Sequence, residues 1–244
     1  GIHAPEFAFE KVPKNVQKAV TEANIKYPVG LDNNFSTWQA YDNKFWPAKY
    51  LIDKNGLVRY THFGEGKYEE TEEIIQTLLK ENGATITEEF TNEKSKSNPL
   101  EKQTPETYLS YSRGERFANL DQLKKNTYTK YDLKDNLQSN EWSLGGNWKI
   151  GEESSLSGEN AQLKINFSGR EVYLVMNGPA GTQVSIMVDE KTLTDTNIKG
   201  SDVKNNSKIV LDSARLYKLI KSDTFLENKQ LTLSFPAGVT VNAF

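Results

Sequence analysis

Cysteine is absent from all 244 residues. No disulfide can staple the chain, and no thiolate is available for redox exchange, nucleophilic attack or metal ligation. Histidine is nearly as scarce: His3 and His62 stand far apart, so no zinc-type cluster is expected. No run of about 18 apolar residues occurs, so the sequence encodes no membrane-spanning helix, and its opening residues do not read as a signal peptide. The 30 basic and 33 acidic residues are well mixed and leave a net charge of −3. Without a basic stripe to neutralise a phosphate backbone, nucleic acid is excluded as a partner class. A phosphate-binding glycine loop and a G-x-S-x-G elbow are also missing, and neither cofactor nor metal is expected.

What is present supports packed structure. Hydrophobic residues make up 36% and aromatics 11%, enough to build cores rather than a disordered chain. The length accommodates two ordinary domains. Residues 1–83 mix helical and strand patterns. Gly1 to Phe7 reads as a strand end running into a loop. Val12, Val16, Ala19, Val20 and Ala23 then recur at helical spacing as a buried stripe. Ile25–Leu31 reads as a short strand, and Phe35, Trp38 and Tyr41 as a short helix started by Asp32, Asn33 and Asn34, whose side chains can accept backbone N–H bonds. Lys49–Asp53 and Leu57–Phe63 flank Asn55-Gly56, a hairpin signal. Tyr68–Lys80 has an apolar stripe at Ile74, Ile75, Leu78 and Leu79, acidic residues in its first turn and Gly83 as terminator.

That order is the C-terminal two-thirds of a thioredoxin-like domain. His3-Ala4-Pro5-Glu6-Phe7, Tyr27-Pro28-Val29, Trp46-Pro47-Ala48-Lys49-Tyr50-Leu51-Ile52-Asp53 and His62-Phe63-Gly64-Glu65-Gly66 together resemble the extracytoplasmic domain of DipZ-type proteins, TlpA-like thioredoxins fused to a membrane electron carrier of CcdA/DsbD type. The resemblance implies that residues 1–83 are an N-terminally incomplete α/β thioredoxin-like domain. The missing segment would supply a central strand and the helix carrying Cys-x-x-C, and removing it would expose strand edges. Either that segment or a second copy is expected as the partner completing the fold. The resemblance also makes Pro47 a cis-proline beside the redox site, against the alternative of a trans proline opening an edge strand. Trp46 would then be a substrate platform or would pack on the redox helix. His3 and Glu6 would lie near the reactive sulfur as acid/base groups, with a backbone-satisfied loop histidine as the other reading of His3. His62 reads as structural.

Residues 84–103 read as a polar linker with a short strand at Thr85–Phe90. From residue 104 the period becomes two. Leu163, Ile165 and Phe167 precede a Ser168-Gly169 turn; Val172, Leu174 and Met176, then Val184, Ile186 and Val188, then Leu231, Leu233 and Phe235 continue the alternation. Short half-buried strands of this kind predict an all-β sandwich over 104–244. Thr107-Tyr108-Leu109-Ser110, Trp142-Ser143-Leu144-Gly145-Gly146-Asn147-Trp148 and Arg215-Leu216-Tyr217-Lys218-Leu219 resemble the C-terminal domain of the same family, similar to the jelly rolls of carbohydrate-binding modules. Trp142, Trp148, Tyr128 and Tyr131 are the aromatic candidates for glycan contact, with core packing and contact with the thioredoxin domain as the competing roles of the tryptophans.

The reading that follows is the C-terminal part of an extracytoplasmic thiol-disulfide oxidoreductase, anchored to a membrane through a region outside this chain. It is expected to be redox-inactive alone and to meet a protein client or a glycan. The alternative is a non-enzymatic cell-surface module that binds glycan or protein.

Overall fold

The computed structural model describes residues 1–86, 101–193 and 197–244. The chain divides into two compact units, Gly1–Asn98 and Pro99–Phe244. The linker strand expected at Thr85–Phe90 lies largely outside the described residues.

The first unit runs β1 (Ile2–His3), α1 (Pro13–Glu22), β2 (Gly30–Leu31), α2 (Ser36–Ala40), β3 (Ala48–Ile52), β4 (Val58–Phe63) and α3 (Tyr68–Glu81). Each helix has a local cause. Pro13 at the first helical position of α1 forfeits an amide that had no partner anyway. The Asp32 carboxylate accepts from the amides of Thr37 and Trp38 at 2.9 and 2.8 Å and from the Ser36 hydroxyl, which starts α2. Gly83, at φ +84, ends α3, with its amide bonded to the Lys80 carbonyl and that of Ala84 to Leu79. Only Gly30–Leu31 of the expected Ile25–Leu31 strand pairs, because Pro28 has no amide to contribute to a ladder.

The hairpin differs in detail from its sequence signal. Gly56 has φ +81 but Asn55 is not left-handed, and the Gly56 amide bonds back to the Asp53 carbonyl. The register slips between Leu51 and Ile52, so the connection is an ordinary turn closed by a glycine bulge rather than a two-residue turn. Asp53 organises it by accepting from the amides of Asn55 and Leu57. Arg59 ties this turn to the end of α3, donating two bonds to Glu81 at 2.8 and 3.1 Å and one to Asp53.

Packing in this unit is thin. Among the described residues, Phe7 is its one buried large apolar side chain. The expected stripe of α1 is not enclosed: no α1 residue is buried.

The second unit holds β5 (Thr129–Tyr131), β6 (Trp142–Ile150), β7 (Ser155–Ser157), β8 (Ala161–Asn177), β9 (Gln183–Val188), β10 (Lys191–Thr192), β11 (Lys208–Val210), β12 (Arg215–Phe235) and β13 (Thr240–Val241). They form one sheet of order β10-β9-β12-β8-β13-β7-β6-β5, with β11 beside β9 and a second pairing of β6 with β8. The circuit β8-β13-β7-β6-β8 closes part of it like a small barrel. The Ser168-Gly169 turn does not exist: β8 passes through it for 17 residues, with Gly169 still opposite Leu226. Register shifts in β12 at 218–220, 221–226 and 226–229 absorb the bend instead. Leu163, Ile165, Phe167, Leu174, Met176, Leu231, Leu233 and Phe235 all enter one core. Burial of this kind contributes roughly 1.5–3 kcal/mol per large side chain and dominates the unit's stability.

A polar clasp fastens the loop before β12. Arg215 donates to Asp202 and Asp212 at 2.9 Å each, and its guanidinium lies 3.8 Å from the Tyr217 ring centre. The buried Tyr217 hydroxyl accepts from the Asp212 amide and donates to the Asp212 carboxylate. The Arg215 bond, followed by the tyrosine and Ser213 bonds, outweighs partial desolvation and holds the Asp212 carboxyl well below its ordinary range. A depressed carboxyl stabilises the fold above its unfolded-state value, about pH 3.9, and loses that contribution as pH falls toward the folded value. Arg215→Met is therefore expected to cost about 1 kcal/mol at pH 7. In urea unfolding the deficit against the unaltered chain should shrink below about pH 4.

Candidate functional site

Trp46 and Pro47 sit where the chain enters β3. The Trp46–Pro47 peptide is cis, and the Pro47 carbonyl accepts from the Gly64 amide at 2.8 Å. The Trp46 indole N–H donates 3.2 Å to the Ala4 carbonyl, joining the start of β3 to the loop that follows β1. Its ring lies 4.3 Å from that of Trp38, itself edge-on to Phe35. Trp46 nonetheless remains 47% exposed, and Phe45 52%. An aromatic wall thus stands half in solvent, fixed from behind by α2.

His3 and Glu6 belong to the same neighbourhood through Ala4. The His3 Nε2–H donates 3.2 Å to the Glu10 carbonyl, the backbone-satisfied arrangement. Glu10 accepts from the Glu6 and Phe7 amides, at 2.6 and 3.2 Å, and so shapes the loop that carries Glu6. Desolvation works to raise the Asp32 carboxyl, but the bonds from Thr37, Trp38 and Ser36 outweigh it and hold the group below its ordinary value. Asp32 stays ionised as a cap and is not poised for proton transfer. The His62 Nε2–H donates to the Glu65 carbonyl at 3.3 Å.

The strands around this wall are incomplete as a sheet. β1 pairs in parallel with β2, and β3 antiparallel with β4; among the described residues β1 and β3 have no other partner. Two backbone edges are therefore unpaired beside the Trp46–Ala4 bond. Ile2, Leu31, Ile52 and Phe63, on all four strands, are 44–60% exposed. With no cysteine in the chain and no group of His, Asp and Glu suited to a metal among the described residues, the site can bind backbone and apolar surface but offers no nucleophile of the expected kind.

Three of the four aromatic candidates for glycan contact in the second unit are core side chains. Trp142, Trp148 and Tyr131 are 0–1% exposed. Trp142 stacks on Phe117 at 4.2 Å and donates to the Glu115 carbonyl. Trp148 donates to the Gly145 and Gln162 carbonyls and meets Phe235 edge-on. Buried rings offer no face to a sugar. Tyr128 alone of the candidates is exposed, at 49%.

Comparison with known proteins places this geometry. Residues 104–244 match the family described as "Thioredoxin like C-terminal domain". Protein DipZ of Mycobacterium tuberculosis is 36% identical over 197 residues, covering 80% of this chain and 28% of DipZ; the Mycobacterium bovis protein matches equally. The chain thus spans little more than a quarter of the length of these relatives. Thiol-disulfide oxidoreductase YkuV of Bacillus subtilis is 25% identical over 80 residues, 33% of this chain and 54% of YkuV.

Proposed function

Because the chain belongs to the thioredoxin-like C-terminal domain family, we propose that it is the non-thiol part of an extracytoplasmic, membrane-anchored thiol-disulfide oxidoreductase. The observation that carries this reading is the pair of two-stranded sheets whose unpaired edges flank Trp46 and Pro47. A strand laid between β1 and β3 would satisfy both edges and cover the exposed Ile2, Leu31 and Phe63. The Cys-x-x-C would follow that strand, contributed by a thioredoxin segment outside residues 1–244, with a CcdA/DsbD-type carrier as electron source; a second copy of this cysteine-free chain could complete the sheet but could not supply the thiols. The closed β-sheet unit serves as a jelly-roll docking module for a protein client.

In such an enzyme one thiolate attacks a client disulfide, forming a mixed disulfide and releasing one client thiolate. The second thiolate then breaks the mixed disulfide, so two electrons leave the enzyme dithiol and the client ends as a dithiol. This chain's residues do the positioning. Trp46 and Pro47 form the wall against which the client backbone lies. Glu6 is the group we assign to proton exchange, and His3, held by the Glu10 carbonyl, keeps the loop in register.

Insulin reduction tests this reading. The 244 residues alone should give only the uncatalysed rate, whereas protein extended by its upstream coding sequence should turn over. Trp46→Ala in the extended protein should cut turnover at least tenfold by raising KM for insulin, with folding checked by circular dichroism. An upstream sequence without Cys-x-x-C, or turnover indifferent to Trp46→Ala, overturns the proposal.

A further inference from the structure

The second unit carries a charged cavity of about 320 Å³, lined by Glu106, Thr107, Tyr108, Arg113, Glu115 and Arg116. Both of its walls are fastened to other structure. Residues 107–109 lie along residues 242–244: Thr107 and Phe244 exchange amide-to-carbonyl bonds at 3.3 and 3.0 Å, and the Leu109 amide donates to the Asn242 carbonyl at 2.8 Å. The opposite wall hangs on the buried Trp142. Its indole N–H donates to the Glu115 carbonyl at 2.7 Å, and its amide to the Arg116 carbonyl at 3.2 Å. Between the walls the chain turns so tightly that a Cβ on Gly114 would sit 2.1 Å from the Ser110 carbonyl oxygen.

These anchors keep the charges of the cavity apart. Arg116 is held at φ +54, a left-handed conformation that is uncommon for a residue with a Cβ. Its guanidinium makes no hydrogen bond among the described residues, and its ion pair with Glu115 is stretched to 3.9 Å. Glu106, on the other wall, makes neither a side-chain hydrogen bond nor an ion pair among the described residues, so neither arginine neutralises it. The Arg113 guanidinium lies 3.4 Å from the Tyr108 ring centre, which fixes its plane. Opposite charges that line one cavity without pairing complement a ligand that carries both.

We propose that this cavity binds a small zwitterion, an α-amino acid or dipeptide. The inference goes beyond the redox reading and does not depend on it. Arg116 takes the ligand carboxylate on its planar fork of N–H donors, and Glu106 accepts from the ligand ammonium. A simple anion such as phosphate meets the carboxylates of Glu106 and Glu115, and a simple cation meets the two arginines. An uncharged peptide segment satisfies neither Arg116 nor Glu106. The volume lies at the small end of ligand cavities, which suits one or two residues rather than a longer chain.

Calorimetry on the full chain tests this with glycine, L-phenylalanine, glycylglycine and L-alanyl-L-alanine, against the N-acetylated and C-amidated form of each and inorganic phosphate. At least one zwitterion should bind, and both of its capped forms should bind at least tenfold more weakly. Arg116→Gln should bring the zwitterion down to the affinity of its amide while leaving the discrimination against the acetylated form. Glu106→Gln should do the converse. In the unaltered protein, the backbone amide resonances of Glu106, Thr107, Glu115 and Arg116 should shift on titration with the same zwitterion, a readout independent of any variant's folding. Binding of phosphate alone, binding of no zwitterion, capped forms that bind as well as free ones, resonances that stay in place, or full affinity in both variants overturns the proposal.

Discussion

Trp148→Ala is expected to destabilise the second unit by about 3–5 kcal/mol, the cost of emptying a large aromatic site in a closed core. The indole is fully buried, bonds to two carbonyls on different strands and supports Phe235 from its edge. Its removal therefore leaves a void together with the Gly145 and Gln162 carbonyls stripped of their donor. Urea unfolding followed by circular dichroism should show an earlier midpoint with little change in slope. Trp148→Phe should recover part of the loss, since volume returns but the N–H does not. A tryptophan acting as an exposed sugar platform would behave oppositely, losing affinity at constant stability.

Gly146→Ala should have an effect of similar size, for a backbone reason. Gly146 has φ +73, and a Cβ there would sit 2.0 Å from the Asn160 carbonyl oxygen. Left-handed φ alone costs a non-glycine residue about 1–2 kcal/mol. The overlap cannot be relieved by a rotamer change, because the opposing atom is backbone. That contact lies where β6 turns from its pairing with β8 to its pairing with β7. The alanine variant should therefore unfold at least 10 °C lower or fail to accumulate, whereas alanine at Gly56, which has no heavy atom within 4 Å, should cost only about 1 kcal/mol.

Some of this was legible in the sequence. The caps of α2 and α3 and the Asn55-Gly56 hairpin are written in residue types whose backbone preferences act locally. Ser168-Gly169 has turn composition but extended geometry, because pairing across to Leu226 decides the matter and no local pattern reports that pairing. The tryptophans show the limit of residue type. Trp142, Leu144, Trp148 and Ile150 share the same parity along β6, and that alternation was the available signal that both rings face inward. Gln162, Lys164 and Asn166 look like an ordinary solvated face, yet Lys164 and Asn166 are buried, because β6 and β12 flank β8 and the Leu137 carbonyl accepts from the Asn166 side-chain amide.

The imbalance between the units has a thermodynamic consequence. Among the described residues Phe7 alone of the large apolar side chains is buried in the first unit, while the second encloses a core from Leu109 to Val241. Amide exchange should therefore proceed through low-energy openings in β1 to β4 and approach the global limit only in β8 and β12. A segment that seated itself between β1 and β3 would slow exchange in the first unit by a factor set by its free concentration over its dissociation constant. Protection of the Tyr50 and Leu51 amides would then act as an occupancy gauge, reporting how often the site is whole.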